Sequence, residues 1–439
     1  MKKTTLRWKG VLTFLLLLAL LWKMEASAAS GINVEYHTQE EIKQKYQELN
    51  IQPSLKTGYQ VNPSLEVPYA VGVLDDATVN NAMSTLNFVR YVAGISYNVQ
   101  NDVEHQEMAQ AAALINSING GLSHYPEQPA NMSEELYHLG YSGAGSSNLG
   151  VGYGNLYSAI VSGWMNDGSE SNIDRVGHRR WCLNPTMGKT AFGVVGSYYA
   201  MYSFDRTNAS DAYGVVWPAQ NTPMELFSNT SLPWNISMGK DVDISSVQVS
   251  MKRQRDDKQW SFSQASSQGY FNVNNSGYGM SGCIIFRPDD IEEYQENDSF
   301  HVEVQGTYLS GEAFEVSYDV NFFWIEKPVE EEEVEEEPVE EEEPVPVRLS
   351  KPKGLKLKRL SSGRVKIKWK KVPGATKYKV YCKKGKKGKY KKIGTTSRTS
   401  LVQKKCKKGR KYRYKVRAFQ KTSSATIKSG YSAVKKLKY

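Results

Sequence analysis

The chain is 439 residues long, with four cysteines and a formal net charge of +10. That length is enough for two to four domains, and so few cysteines exclude a disulfide scaffold. The net charge hides a segregation: residues 351–439 carry 34 Lys and Arg and no Asp or Glu, which leaves −24 on the remainder.

Lys2, Lys3, Arg7 and Lys9 precede an apolar run from Val11 to Trp22, which ends near Ala26-Ser27-Ala28. This order predicts a signal peptide over residues 1–28 and a secreted, extracellular mature chain. The apolar run is too short for a comfortable bilayer span. Residues 29–69 read as a leader segment, with helical composition from Gln39 to Leu49 and then Pro53, Pro63 and Pro68.

From Asp76 onward Val79, Met83, Leu86, Val89, Arg90 and Ala93 recur at spacings of three and four, which predicts a helix. The Asp75-Asp76 pair reads as its N-cap rather than as a metal site. A second helix is expected from about Val103 to Ile118, and a third after Ser133, which stands as N-cap ahead of Glu134 and Glu135. Gly143 to Gly154 reads as a Gly/Ser-rich loop, followed by a helix through Tyr157, Ile160, Val161 and Trp164. Ala191–Val195, Tyr198–Phe204 and Tyr213–Trp217 alternate as strands do, so residues 70–220 read as an α+β domain. Cys182 and Cys283 lie within apolar runs and read as buried free thiols.

Residues 221–327 hold short strand-like runs separated by polar turns, from Val247–Met251 to Phe314–Phe323, which predict a β-sandwich. Eleven glutamates between Glu330 and Glu343, broken by Pro338 and closed by Pro344 and Pro346, make residues 328–347 an acidic Pro/Glu-rich linker. Any contact it makes with the basic segment beside it is expected to weaken with salt. Residues 348–439 then alternate cleanly at Arg364–Trp369, Tyr378–Cys382 and Lys411–Ala418, each strand with an apolar face and a lysine-rich face. Cys382 and Cys406 fall in this segment, and spacing leaves open whether they pair as a disulfide or stay thiols.

Two stretches carry candidate chemistry: Leu122-Ser123-His124-Tyr125-Pro126, and the run from Asn172 through Gly177-His178-Arg179-Arg180-Trp181-Cys182 to Asn184-Pro185. They offer two histidines that a fold can bring into one cleft. Together with Leu86–Ile95 and Trp164 they resemble the CAP superfamily, the cysteine-rich secretory and pathogenesis-related proteins, over residues 70–220. That resemblance implies an α-β-α sandwich with a central cleft of two histidines and two acids. His124 and His178 match the histidines. Asp167, three residues after Trp164, stands where the family often has glutamate. In Ser146-Ser147-Asn148, Ser147 replaces the carboxylate of the family's Glu-Asn pair, a departure that bears on any activity needing both acids.

Neutral imidazoles bind divalent ions such as Zn2+, so His124 and His178 are candidate metal ligands with Asp167 as a third. The same histidines serve equally as hydrogen-bonding groups, and Arg179, Trp181 and Leu183 suit a packed corner around His178. Ser147 as a nucleophile with His124 as base lacks a Gly-x-Ser-x-Gly elbow. His37, His105, His138 and His301 have no acidic or cysteine partner at useful spacing and read as surface residues.

The last segment resembles a fibronectin type III domain across its whole length, with Trp369 as the core tryptophan, Tyr412 as the tyrosine of the sixth strand and Cys406 at a buried position. A charge of +34 on 89 residues exceeds what solubility requires and is expected to attract anionic polymers such as teichoic acid or acidic glycans. No signature for sequence-specific nucleic acid is present in the sequence. The expectation is a secreted, multidomain binding protein of Gram-positive cell-wall type, with an unidentified small ligand in its cleft. The alternative is an extracellular hydrolase or metal-dependent enzyme acting through His124, His178 and Asp167.

Overall fold

The computed structural model describes residues 29–327, 349–360, 363–385, 388–421 and 426–439. The expected signal peptide and acidic linker lie outside the described residues. The chain divides into two compact units, one up to Glu330 and one from Glu331. No helix among the described residues is long and apolar enough to cross a membrane.

In the first unit, helix α1 (Gln39–Glu48) starts at a capping box, in which Thr38 Oγ1 accepts the Glu41 N–H and Glu41 Oε2 accepts the Thr38 N–H. Helix α2 (Asp76–Val92) is capped by Asp75, whose carboxylate accepts the Thr78 N–H at 2.8 Å, as its sequence position implies. Helices α3 (Val103–Asn119) and α4 (Glu134–Gly145) follow, and Ser133 caps the latter. A short α-helical turn, α5 (Leu156–Ser158), then widens into a π-helix over Ala159–Trp164.

Strands β1 (Ser147–Val151), β2 (Phe192–Val195) and β3 (Tyr198–Tyr202) form an antiparallel sheet in the order β1-β3-β2. One face, through Leu149, Val195 and Ala200, packs with Ala112–Leu114 of α3 and Ala144 of α4. Through Phe192, Val194, Tyr199 and Met201 the other face joins α2 and the 156–164 segment. Helices therefore cover both sides of this sheet.

Of the expected Gly143–Gly154 loop only Gly152–Gly154 is loop; the rest is the end of α4 and the whole of β1. Two of its glycines serve close approach: a Cβ on Gly143 would sit 2.3 Å from the Met108 carbonyl oxygen of α3. At Gly150 a Cβ would meet the Tyr153 ring at 2.9 Å. Ser147 thus stands on a paired strand, opposite Tyr202.

The β-rich part holds two sheets. Strands β4 (Val215–Trp217), β6 (Trp234–Ser237), β9 (Gly269–Asn274) and β10 (Cys283–Pro288) order as β9-β10-β6-β4. The second sheet orders β5 (Asn221–Pro223), β7 (Gln248–Arg253), β8 (Gln259–Phe262), β11 (Ser299–Thr307) and β12 (Ala313–Phe323) as β8-β7-β11-β12-β5. Trp234 is fully buried and stacks edge-on against Phe300 and Phe322. Each such aromatic burial stabilises by about 2–3 kcal/mol.

Residue 220 does not separate two compact units. Val215–Trp217, expected in the helical domain, pairs instead with Trp234–Ser237 at the edge of this sheet, where all three of its apolar side chains are buried. One continuous core runs from Ile42 to Phe323. The leader is built in as well: Ser30 N–H donates to the Ser317 carbonyl, Asn33 N–H to the Tyr213 carbonyl, and Ile42 is buried.

The second unit is a fibronectin type III-like sandwich. One sheet orders β13 (Lys356–Leu360), β14 (Arg364–Lys368) and β17 (Ser400–Gln403). The other orders β16 (Lys391–Thr396), β15 (Lys377–Lys384) and β18 (Lys411–Lys421), and β19 (Thr426–Lys428) and β20 (Lys435–Lys438) both pair with β18. Trp369, Tyr412 and Cys406 are all in its core. Tyr412 Oη accepts the Lys407 N–H at 2.9 Å and so pins the corner before its own strand. Cys382 and Cys406 are both free thiols, so the disulfide alternative is not formed; Cys406 Sγ lies 4.0 Å from the Tyr414 hydroxyl. Cys182 and Cys283 are buried thiols, as expected.

Candidate functional site

His124, Ser147, Asp167 and His178 line one cleft of about 940 Å³ in the first unit. They come from four places: the loop after α3, the start of β1, the turn after the π-helix, and helix α6 (Gly177–Cys182).

Asp167 is the organiser. Its Oδ1 lies 2.9 Å from His178 Nδ1, and its Oδ2 accepts the backbone N–H of His178 at 2.8 Å and of Arg179 at 3.3 Å. The carboxylate, 4% exposed, thereby caps the first turn of α6. An ionised carboxylate only accepts, so His178 carries its ring proton on Nδ1 and leaves the Nε2 lone pair free. His124 repeats the logic with a peptide group, since its Nδ1 donates to the Ala144 carbonyl at 2.7 Å.

Two non-glycine residues hold left-handed backbone at the ends of the segment that makes this possible: Asp167 (φ 39°) and Val176 (φ 42°). For a β-branched residue this is strained, and strain of this kind costs about 1–3 kcal/mol. Val176 is held there by burial against Cys283 and Ile285 of the β-rich half.

The arginines of the Gly177–Cys182 run do not face the cleft. Arg179 is fully buried and donates to the carbonyls of Met165, Asn166 and Pro233 and to Asn235 Oδ1. Arg180 reaches the Ser276 and Met280 carbonyls and Asn274 Oδ1. Arg90 of α2 donates to the carbonyls of Ser96, Cys182, Asn184 and Met187. Burial draws the Arg179 guanidinium down to about 10 and Arg90 to about 9, so both stay charged at neutral pH. These three pins hold α6, and two of them tie it to the β-rich half.

Ser147 is 5% exposed, and its hydroxyl has no hydrogen-bond partner among the described residues. Asn148 beside it donates to the His178 carbonyl at 2.9 Å. Tyr153 lies against Gly163, and burial, then Asp167, raises its phenol. The β-rich half adds Asn229, Ser231 and Tyr278 to the wall. Sequence reasoning missed these, because no local pattern links positions about a hundred residues apart.

The expected metal set does not assemble. Among the described residues no three His, Cys, Asp or Glu side chains gather to hold a metal ion. Asp167 has both oxygens on His178 and Arg179, so two imidazoles remain, fewer than the three protein ligands of a catalytic zinc site. Of the other histidines His138 is exposed, as expected, and three differ: His105 Nδ1 lies 2.7 Å from Asp102, His301 Nδ1 lies 2.7 Å from Asp319, and His37 stacks on Tyr91 at 3.7 Å. Helix and cross-strand geometry supplies partners that separation in sequence concealed.

No protein-family model matches the chain, and no curated protein sequence matches it. Among solved structures, it is similar to an Fn3-like protein from Clostridium thermocellum, with 27% identity over 21% of this chain and 93% of that one, at a TM-score of 0.19. It is also similar to the FN1-FN3 domains of chicken CNTN1, with 12% identity over 47% of this chain and 59% of that one, at a TM-score of 0.18. A cytokine receptor complex matches with 11% identity over 47% and 90%, at 0.19. The strand order of the second unit, rather than these overlays, identifies it as fibronectin type III-like.

Proposed function

We propose that this is an exported, modular binding protein: a CAP-like first unit holds a ligand in the His124/Ser147/Asp167/His178 cleft, and the basic second unit attaches it to anionic wall polymers such as teichoic acid. The observation that carries the cleft reading is the convergence of all four residues on one cavity, with each ring oriented through Nδ1 and the Ser147 hydroxyl unpartnered. For the second unit the support is its charge: 34 basic residues without one acid release counterions on meeting a polyanion.

The oriented His178–Asp167 pair also suits a general base, which keeps a hydrolase as a second reading. In it His178 Nε2 takes a proton from water or a hydroxyl while Asp167 holds the ring. Binding without turnover is favoured because Ser147 stands where the resemblance expects a second carboxylate, and its hydroxyl makes no hydrogen bond to either histidine.

Retention of the full chain on Gram-positive cell walls tests this across a salt series. Expected are a salt-sensitive component, lost when teichoic acid is stripped, and a salt-resistant one, lost when the exposed cleft residue Ser162 is changed to Trp. Retention indifferent to teichoic acid removal and to Ser162→Trp contradicts both halves of the proposal.

A further inference from the structure

Resting on the cleft as a ligand site, we infer that its ligand is a neutral, hydroxyl-rich sugar chain. The lining carries two charged side chains, both already partnered: Asp167 accepts three hydrogen bonds, and Arg175 bonds to Asp174 at 2.8 Å and Asn172 at 3.1 Å. Hydroxyls and carboxamides dominate instead, among them Ser162, Ser171, Asn166 and Asn229. A polyanion finds a single cation there, already paired with Asp174, and a lipid tail finds too many polar groups.

The Ser147 hydroxyl, buried in the wall without a partner, both donates and accepts. The free Nε2 atoms of His124 and His178 accept. A sugar hydroxyl, itself donor and acceptor, satisfies all three. The buried Ser147 hydroxyl has no partner of its own, so a ligand that pairs it is favoured.

Aromatic placement points the same way. Tyr125 and Phe204 are exposed aromatic side chains, at 75% and 50%, and both line this cleft. Trp181 backs Phe204 at 4.9 Å between ring centres, and Tyr141 stands 6.2 Å from Tyr125. Supported rings left facing water mark a binding surface, and their flat faces suit the C–H face of a pyranose. A volume of about 940 Å³ is at the upper end of the roughly 300–1,000 Å³ of small-ligand sites, enough for several rings.

The test is calorimetry on the full chain with chitohexaose and cellohexaose as neutral probes and hexagalacturonate as the acidic control, at low and high salt. Expected is saturable binding of a neutral probe that salt leaves unchanged, with Tyr125→Ala and Phe204→Ala each weakening it roughly tenfold. Phe204→Trp should retain it, and Lys379→Ala in the second unit should not alter it. Absence of saturable binding, or binding that Tyr125→Ala and Phe204→Ala leave intact, overturns the inference. Wall retention separates this from the broader reading. If neutral probes fail while Ser162→Trp and Asn229→Trp still abolish salt-resistant retention, only the sugar assignment falls. If those variants change nothing, both fall. Circular dichroism melts confirm that each variant is folded.

Discussion

Asp167 holds His178 twice, through the ring Nδ1 at 2.9 Å and through the backbone N–H at 2.8 Å. One carboxylate therefore fixes both where helix α6 begins and which nitrogen its histidine shows to the cleft. Fold and site depend on the same group.

Replacing Asp167 with Asn separates the two roles. The amide keeps one acceptor for the α6 backbone but turns an N–H₂ toward His178 Nδ1, which moves the ring proton to Nε2. Nitrogen-15 NMR of the imidazole should report the tautomer change, with a stability loss of about 1–3 kcal/mol. An unchanged tautomer would mean that another group orients the ring.

Arg179→Met leaves acceptors on Met165, Asn166, Pro233 and Asn235 without their donor in a dry interior. A loss of about 3–5 kcal/mol is expected in urea unfolding of the first unit. Arg179→Lys should recover only part of it, because one ammonium cannot span four acceptors.

Burial pushes the Cys182 thiol up to about 12 from an ordinary 9.0 and Cys382 up to about 11. All four thiols should resist iodoacetamide at pH 8.5 in the native protein and react in guanidinium. A count of two in guanidinium would reveal a Cys382–Cys406 disulfide. The fold keeps the Cys182 proton where the unfolded chain releases it, so this stabilisation is complete below about pH 9 and declines as pH rises toward 12. Alkaline unfolding curves of Cys182→Ala should be flatter over that window.

Tyr412→Phe removes the acceptor for the Lys407 N–H in the second unit. Calorimetry should show the transition of that unit lowered by about 1–2 kcal/mol and the other unmoved. Equal shifts in both transitions would contradict two separately cored units.

Much of this protein was determined by sequence alone. Asp75 caps its helix, Ser133 caps another, and Trp369 and Tyr412 sit in a core because alternation and capping are local rules, written in residues a few positions apart. His124, Ser147, Asp167 and His178 were also legible as one cleft, through a family resemblance rather than through spacing. Tertiary structure decided the rest. The Gly143–Gly154 stretch looked flexible, yet Gly143 lets α4 approach the backbone of α3 and Gly150 lets β1 approach the Tyr153 ring, which only the neighbouring elements reveal. Val215–Trp217 joined the β-rich half because an all-apolar strand goes where both faces are covered. Asp167 became a helix cap because the turn brings two backbone N–H groups and the His178 ring onto its buried carboxylate, a convergence that no local pattern in the sequence spells out.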